Sequence, residues 1–287
     1  MPALPQPPVP PVPPQKPLQK PLQKPLQKQA PLGARGPALL RGLGLLPLAL
    51  WRVARLTLHV LHGMAVMALR FPSLDAAGRH ARIAWWSAGL LRAVGVQLRL
   101  SGQPRPGATL LIANHVSWLD IAALHAAVPQ ARFVYKADVL HWPLLGWLIR
   151  GAGTLFIKRD RKRDALRVVH AMAEALRAGE TVAVFPEGTT GAGPELLPFH
   201  ANLLQAAIAT ATPIQPAVLR FADARHRFSP AVTFVGDTTL LQSLWRVATA
   251  RGLVVHVDLL GAQASAHADR RALAETLRAM MADRLAL

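Results

Sequence analysis

The sequence predicts an α/β domain: a mixed, largely parallel sheet covered by helices on both faces, with apolar helices ahead of it. Three observations lead there. Beyond Val96, short β-rich runs alternate with stretches of helical length and periodicity. Several of those runs, among them residues 108–113 and 181–185, are almost wholly apolar, as strands buried on both faces are. Residues 38–71 are also mostly apolar, but they lack the turn punctuation of strands and read as helix. With 287 residues the chain has room for one large domain or two small ones. It contains no Cys, which excludes a disulfide framework, a thiolate nucleophile and a thiolate metal site.

Residues 1–37 are Pro-rich and repeat Lys-Pro-Leu-Gln from Lys16, Lys20 and Lys24. Proline removes backbone donors and favours extended polyproline II, so a disordered Pro/Lys-rich extension is expected. It reads either as a basic arm for anionic headgroups or as an inert extension. No short apolar core with a small-residue cleavage site follows Met1, so no secretory signal is expected.

Residues 38–78 are expected to form a membrane-associated helical segment. Arg41, Arg52, Arg55 and Arg70 punctuate it, and its longest charge-free run, Leu56 to Leu69, has 14 residues. A bilayer span needs about 20 apolar residues. The expectation is therefore two helices, near 38–50 and 51–70, divided or kinked at Pro47 and lying in one leaflet. The alternative is a true span from about residue 43 to 69. The charge distribution points the same way. The net charge is +18, yet residues 1–100 contain a single acid, Asp75, against 13 of the 33 Lys and Arg. Basic residues threaded through Leu-rich helices fit an anionic membrane surface rather than nucleic acid. Residues 79–95 follow, with Trp85, Trp86, Leu90 and Leu91 beside Arg79, Arg82 and Arg92 on a helical pattern. This helix suits either a membrane interface or the core.

The domain proper is expected to run over 79–287. Strands are expected at 96–101, 108–113, 132–136, 154–158, 181–185, 214–221, 231–235 and 253–259. Helices are expected at 117–128, 143–150, 162–178, 200–211, 239–250 and 268–286. In open α/β sheets ligands bind beyond the carboxyl ends of the strands. That rule singles out residues 114–120, 158–161 and 186–193.

Residues 114–120 hold His115 and Asp120. On one continuous helix these side chains would stand about 140° apart. They meet if His115 lies in the loop and Asp120 in the first helical turn. Ser117-Trp118-Leu119-Asp120 has the form of a capping box. Asp120 then either caps the helix or orients the imidazole, and one carboxylate can do both with its two oxygens. A bond from Nδ1–H would leave Nε2 free as a general base.

Lys158 and Arg159 end an apolar strand. One of them faces the site, where a guanidinium can grip a phosphate; the alternative is a solvated charge run. Glu187, Gly188, Thr189 and Thr190 follow the strand that ends at Phe185-Pro186. They offer an acceptor, close backbone approach and hydroxyls, or else form a plain loop. The His residues are scattered without ligand spacing, so no metal site is expected.

In this order and spacing the motifs resemble those of the 1-acylglycerol-3-phosphate acyltransferase family of glycerolipid acyltransferases. His115 and Asp120 match its His-x4-Asp motif. Gly153, Phe156, Ile157 and Arg159 match Gly-x-x-Phe-Ile-x-Arg, and residues 185–189 match Phe-Pro-Glu-Gly-Thr. Residues 214–218 match its final Pro-containing strand. The resemblance covers about residues 85–235. It implies transfer of a fatty acyl group from acyl-carrier protein or acyl-CoA to a lysolipid hydroxyl, with His115 as base and Asp120 as its orienting group. Neither an acyl-enzyme nor a bound cofactor is implied. Arg159, with Lys158, would hold the acceptor's phosphate, and Glu187, Gly188, Thr189 and Thr190 would frame its head. Backbone N–H groups near 116–118 are candidates for the oxyanion. The family often has a basic residue at the positions of Thr190 and His200, so the chain departs from its pattern at both. His200 would bind phosphate only when protonated. The acceptor implied first is 1-acyl-glycerol-3-phosphate, giving phosphatidic acid, and a lyso-ornithine lipid is the alternative. The expected location is the cytoplasmic face of the inner membrane. Two other classes remain: a non-catalytic basic membrane-binding protein, and a lipid hydrolase, which would lack the Gly-x-Ser-x-Gly elbow.

Overall fold

The computed structural model describes residues 36–136, 155–157 and 162–287. The chain divides into two units, Met1–Arg41 and Gly42–Leu287. The helices are α1 (Gly36–Leu69), α2 (Ala76–Ala93), α3 (Leu119–Ala127), α4 (Lys162–Arg177), α5 (Gln205–Ala209), α6 (Leu240–Thr249) and α7 (Arg270–Ala286). The strands are β1 (Val96–Ser101), β2 (Thr109–Ala113), β3 (Arg132–Lys136), β4 (Leu155–Ile157), β5 (Thr181–Val184), β6 (Ile214–Ala222) and β7 (Leu253–Leu259).

Helix α1 corrects one expectation, because it runs through Pro47 without a break. Proline inside a helix loses one hydrogen bond, at about 3 kcal/mol. The run of Leu and Ala around it has high helix propensity and carries the helix across. Residues Gly44–Leu69 form a stretch long and apolar enough to cross a membrane, and only 6% of its most apolar window is buried. The helix docks on α2. The His59 imidazole stacks on Trp86 at 5.6 Å and 16°, and His59 Nε2 lies 2.8 Å from the Trp86 carbonyl. Gly63 makes this approach possible, because a Cβ there would fall 2.1 Å from Trp86 Nε1. Helix α2 starts three residues earlier than expected, because the Asp75 side chain caps it by accepting from Gly78 N at 2.8 Å.

The sheet order is β1-β7-β6-β2-β5-β3-β4. Every neighbouring pair is parallel except β6–β7. Strand β2 lies between β6 and β5 and is buried along its whole length. Its side chains alternate. Leu111 and Ala113 enter a core shared with Leu91 of α2, Leu119 and Leu124 of α3 and Val247 of α6. Leu110 and Ile112 enter a second core with Met172 and Leu176 of α4, Ala206 of α5, and Leu277 and Met281 of α7. The sheet is thus mixed, largely parallel and covered on both faces.

Two expected elements differ. Residues 231–235 form turns and extended loop rather than a strand. Helix 200–211 is a 3-10 turn at Ala201–Leu204 followed by the short α5. The expected helix 143–150 lies outside the described residues.

Candidate active site

The site is built at the carboxyl end of β2. The ladder between β2 and β6 ends at Ala113 and Ala217. The buried Asn114 side chain continues it: its Oδ1 accepts from Leu219 N at 2.7 Å and its Nδ2 donates to Leu219 O at 2.9 Å. With its neighbour pinned, His115 leaves the sheet in a defined direction. Its ring stacks on Phe185 at the end of β5, with centroids 4.0 Å apart and planes at 14°. Phe185 in turn lies 5.9 Å from Phe133, and Phe133 lies edge-on to His125 at 4.7 Å.

His115 and Asp120 meet as the loop-plus-first-turn geometry requires. Nδ1 lies 2.7 Å from Asp120 Oδ2. A carboxylate only accepts, so Nδ1 carries the proton and Nε2 presents a lone pair. The division of labour between the two oxygens is not the expected one. Oδ2 takes all three bonds, from His115 Nδ1, from Val116 N at 2.6 Å and from Ser117 N at 2.9 Å. Oδ1 is buried and has no hydrogen-bond partner among the described residues. The two backbone donors hold the carboxylate charge beneath the imidazole. They also remove Val116 and Ser117 N–H from the candidates for an oxyanion. Ser117 does not complete a capping box. Its hydroxyl reaches Leu119 N at 3.4 Å, while Asp120 N bonds the Ser117 carbonyl at 3.1 Å.

Glu187 is a further correction. As a substrate contact it would face the solvent side of the site, but it is buried and serves the chain itself. Its Oε1 accepts from His115 N at 2.8 Å and its Oε2 from Leu197 N at 2.8 Å. Burial pushes its carboxyl above the ordinary range, and the two N–H donors and the nearby His115 oppose that rise. Thr190 is also committed, because its hydroxyl donates to the Phe234 carbonyl. Gly191 N bonds His115 O at 2.7 Å, and Phe234 N bonds Val116 O at 3.2 Å. Residues 231–235 therefore brace the loop that carries His115, which is the work done by the apolar run misread as a strand.

Gly188, Thr189 and His200 are exposed. His200 N bonds Pro186 O at 2.8 Å, and its ring lies over Gly188. Gly188 has φ +71°, and a Cβ there would lie 2.8 Å from the ring atoms Cδ2 and Nε2, so the loop needs glycine on both counts. Lys158 and Arg159 lie outside the described residues. Sequence reasoning missed the structural parts of Asn114, Trp118 and His125. Trp118 Nε1 donates to Ser243 Oγ of α6 at 3.1 Å. The only trace of these in the sequence is their nearness to the His-x4-Asp pair.

The arrangement pairs a buried carboxylate with an imidazole that is about one-fifth open to solvent and stacked on Phe185. It can take a proton from a hydroxyl. The comparisons with known proteins agree. The Acyltransferase family profile matches residues 98–220. The lyso-ornithine lipid O-acyltransferase of Pseudomonas aeruginosa is 38% identical over 245 residues, covering 83% of this chain and 93% of that protein. The 1-acyl-sn-glycerol-3-phosphate acyltransferase of Neisseria meningitidis is 37% identical over 203 residues, covering 68% and 78%. The crystal structure of the 1-acyl-sn-glycerophosphate acyltransferase PlsC from Thermotoga maritima shares the fold, with TM-score 0.64 at 17% identity over 86% of this chain and 96% of that one. By its motif set and these relatives, the chain belongs to the 1-acylglycerol-3-phosphate acyltransferase family of glycerolipid acyltransferases and acylates lysolipids.

Proposed function

We propose that the chain transfers a fatty acyl group from acyl-acyl-carrier protein or acyl-CoA to a lysolipid hydroxyl, with His115 as general base. The observation that supports this is the 2.7 Å bond from His115 Nδ1 to Asp120, which leaves Nε2 open. The hydroxyl proton passes to Nε2 as the oxygen attacks the thioester carbonyl carbon. The tetrahedral intermediate then collapses, the C–S bond breaks, and the leaving thiolate takes the proton back from the imidazolium. Asp120 stabilises the imidazolium between these steps, and the Phe185 ring keeps the imidazole plane fixed. No cofactor takes part. The reading includes work at the cytoplasmic face of the inner membrane, where an apolar helix such as α1 would hold the enzyme next to its lipid.

The acceptor that fits the described groups best is a lyso-ornithine lipid. Thr190 stands where the family often has a cation, and its hydroxyl is already donated to Phe234. Gly188 and Thr189 offer neutral contacts suited to a zwitterionic head. A second reading, 1-acyl-glycerol-3-phosphate giving phosphatidic acid, is favoured by Lys158-Arg159, a basic pair at a strand end in the sequence. One experiment tests both levels. Native and His115→Ala protein are incubated with each lysolipid and each thioester donor, and the products are weighed by mass spectrometry. The variant is expected to lose on the order of 10²- to 10⁴-fold in turnover while still binding vesicles. Undiminished turnover in the variant overturns the base assignment. A native enzyme that acylates 1-acyl-glycerol-3-phosphate but not lyso-ornithine lipid reverses the acceptor assignment.

A further inference from the structure

Helix α6 buries one apolar face in the core and leaves large apolar side chains exposed beside it. Ser243, Val247 and Ala248 are buried against the core. Leu241 and Trp245 lie to one side of that face, and Leu241 is 76% and Trp245 44% exposed. Leu241 and Trp245 are four residues apart and so stand one above the other on the same face. Val235, also exposed, leads into the helix. An apolar helix face left in water costs free energy unless something covers it.

Three observations identify what covers it. The first is continuity with α1. Arg52 of α1 donates to the carbonyl oxygens of Ala248, at 3.0 Å, and of Ala250, so it caps the carboxyl end of α6. On α1, Leu46, Leu50, Trp51 and Leu58 are exposed as well. The carboxyl end of α6 therefore lies against a helix that itself exposes large apolar side chains. The second is charge. Arg246 and Arg251 are exposed beside the patch, and no Asp or Glu occurs between Asp237 and Asp258. A Trp and Leu face rimmed by Arg, without acids, matches an anionic lipid surface. The third is position. Trp118 Nε1 bonds Ser243, and Phe234 N bonds the Val116 carbonyl, so α6 and the loop before it are fastened to the residues flanking His115.

We propose that α6 is a second membrane-contacting element: its exposed Leu241 and Trp245 enter the headgroup and upper acyl region of an anionic bilayer beside the active site. The inference deepens the lysolipid reading above, since it states how the site meets an acceptor that stays in the bilayer. With α1 alone, the domain could swing about a single helix. With α6 also seated, His115 is held at the depth of the lysolipid hydroxyl.

The absence of Cys makes the test direct, because a dye added to a single introduced Cys labels only that position. Full-length L241C, W245C, L58C and E275C are each labelled with an environment-sensitive fluorophore. They are mixed with phosphatidylglycerol/phosphatidylethanolamine vesicles that carry or lack a spin label on the upper acyl chain. Glu275 is an exposed residue of α7, which packs on the opposite face of the sheet. The expected result is a blue shift and acyl-chain quenching at L241C, W245C and L58C, with no change at E275C. Quenching at L58C alone overturns the proposal and leaves the α1 contact standing. A shift at L241C without acyl-chain quenching also overturns it, because it reports a protein partner such as a second copy. Quenching at no position removes both membrane contacts. Acyl transfer is assayed separately with detergent-dispersed lysolipid, so a failed activity is distinguished from a failed insertion.

Discussion

At the residue scale the site depends on two carboxylates that accept from the chain's own backbone. Asp120 and Glu187 together accept backbone N–H bonds from His115, Val116, Ser117 and Leu197. Glu187 is a staple between loops that β2 and β5 deliver separately, whereas Asp120 ties the loop after β2 to the first turn of α3. An orphaned buried N–H costs about 1–3 kcal/mol. Glu187→Ala orphans two, so it is expected to lower stability by roughly 2–5 kcal/mol and to disorder the His115 loop. Chemical denaturation checks this; a shift within about 0.5 kcal/mol, the ordinary range for a surface substitution, would reduce Glu187 to a surface contact. The sequence made the Glu187 carboxylate visible but not its direction. Its neighbours along the chain, Gly188 and Thr189, are exposed, and nothing in a linear motif separates the side chain that turns inward from those that turn out.

At the element scale the docking of α1 on α2 depends on close approach. Gly63→Ala raises helix propensity by about 1 kcal/mol but drives a Cβ into the Trp86 ring, and overpacking of this kind costs about 1–3 kcal/mol. Gly44→Ala has the same propensity gain and meets nothing within 4 Å. Limited proteolysis of the connection between α1 and α2 is therefore expected to quicken in Gly63→Ala and to stay level or slow in Gly44→Ala. Equal cleavage in the two variants would show that the Gly63–Trp86 contact does not hold the helices together. The same scale explains two misreadings. Pro47 predicts a broken helix when its ring alone is considered, yet one lost bond does not outweigh the helix-forming residues on both sides. Residues 231–235 carry a strand-like pattern, but β2 is already paired on both edges, so the run becomes a brace.

At the scale of the whole molecule, stability depends on a histidine buried behind the aromatic rings of the site. His125 is buried behind Phe133, with Nε2 3.1 Å from the Ala131 carbonyl. Burial lowers its pKa to about 4. The sign follows from proton binding. Between the ordinary histidine value near 6.5 and about 4, the unfolded chain binds a proton that the folded chain refuses, so stability falls as pH falls through that window. The full loss is about 3 kcal/mol. His125→Asn keeps a neutral donor for Ala131 and is expected to flatten this limb of the stability–pH curve relative to the native protein. Parallel curves for the two proteins would remove His125 as its cause.

By itself the sequence determined the α/β class, the order of the main strands and the pairing of His115 with Asp120. These rest on local properties: continuous apolar runs make buried strands, and a strand-to-helix turn brings residues five apart together. Only the tertiary structure decided that one oxygen of Asp120 carries the whole network, that Glu187 is a staple, that Thr190 is spent on Phe234, and that α6 leaves an apolar face uncovered beside the site. Each of these depends on what a distant segment places opposite a side chain, and that partner cannot be read from the spacing of residues along the chain.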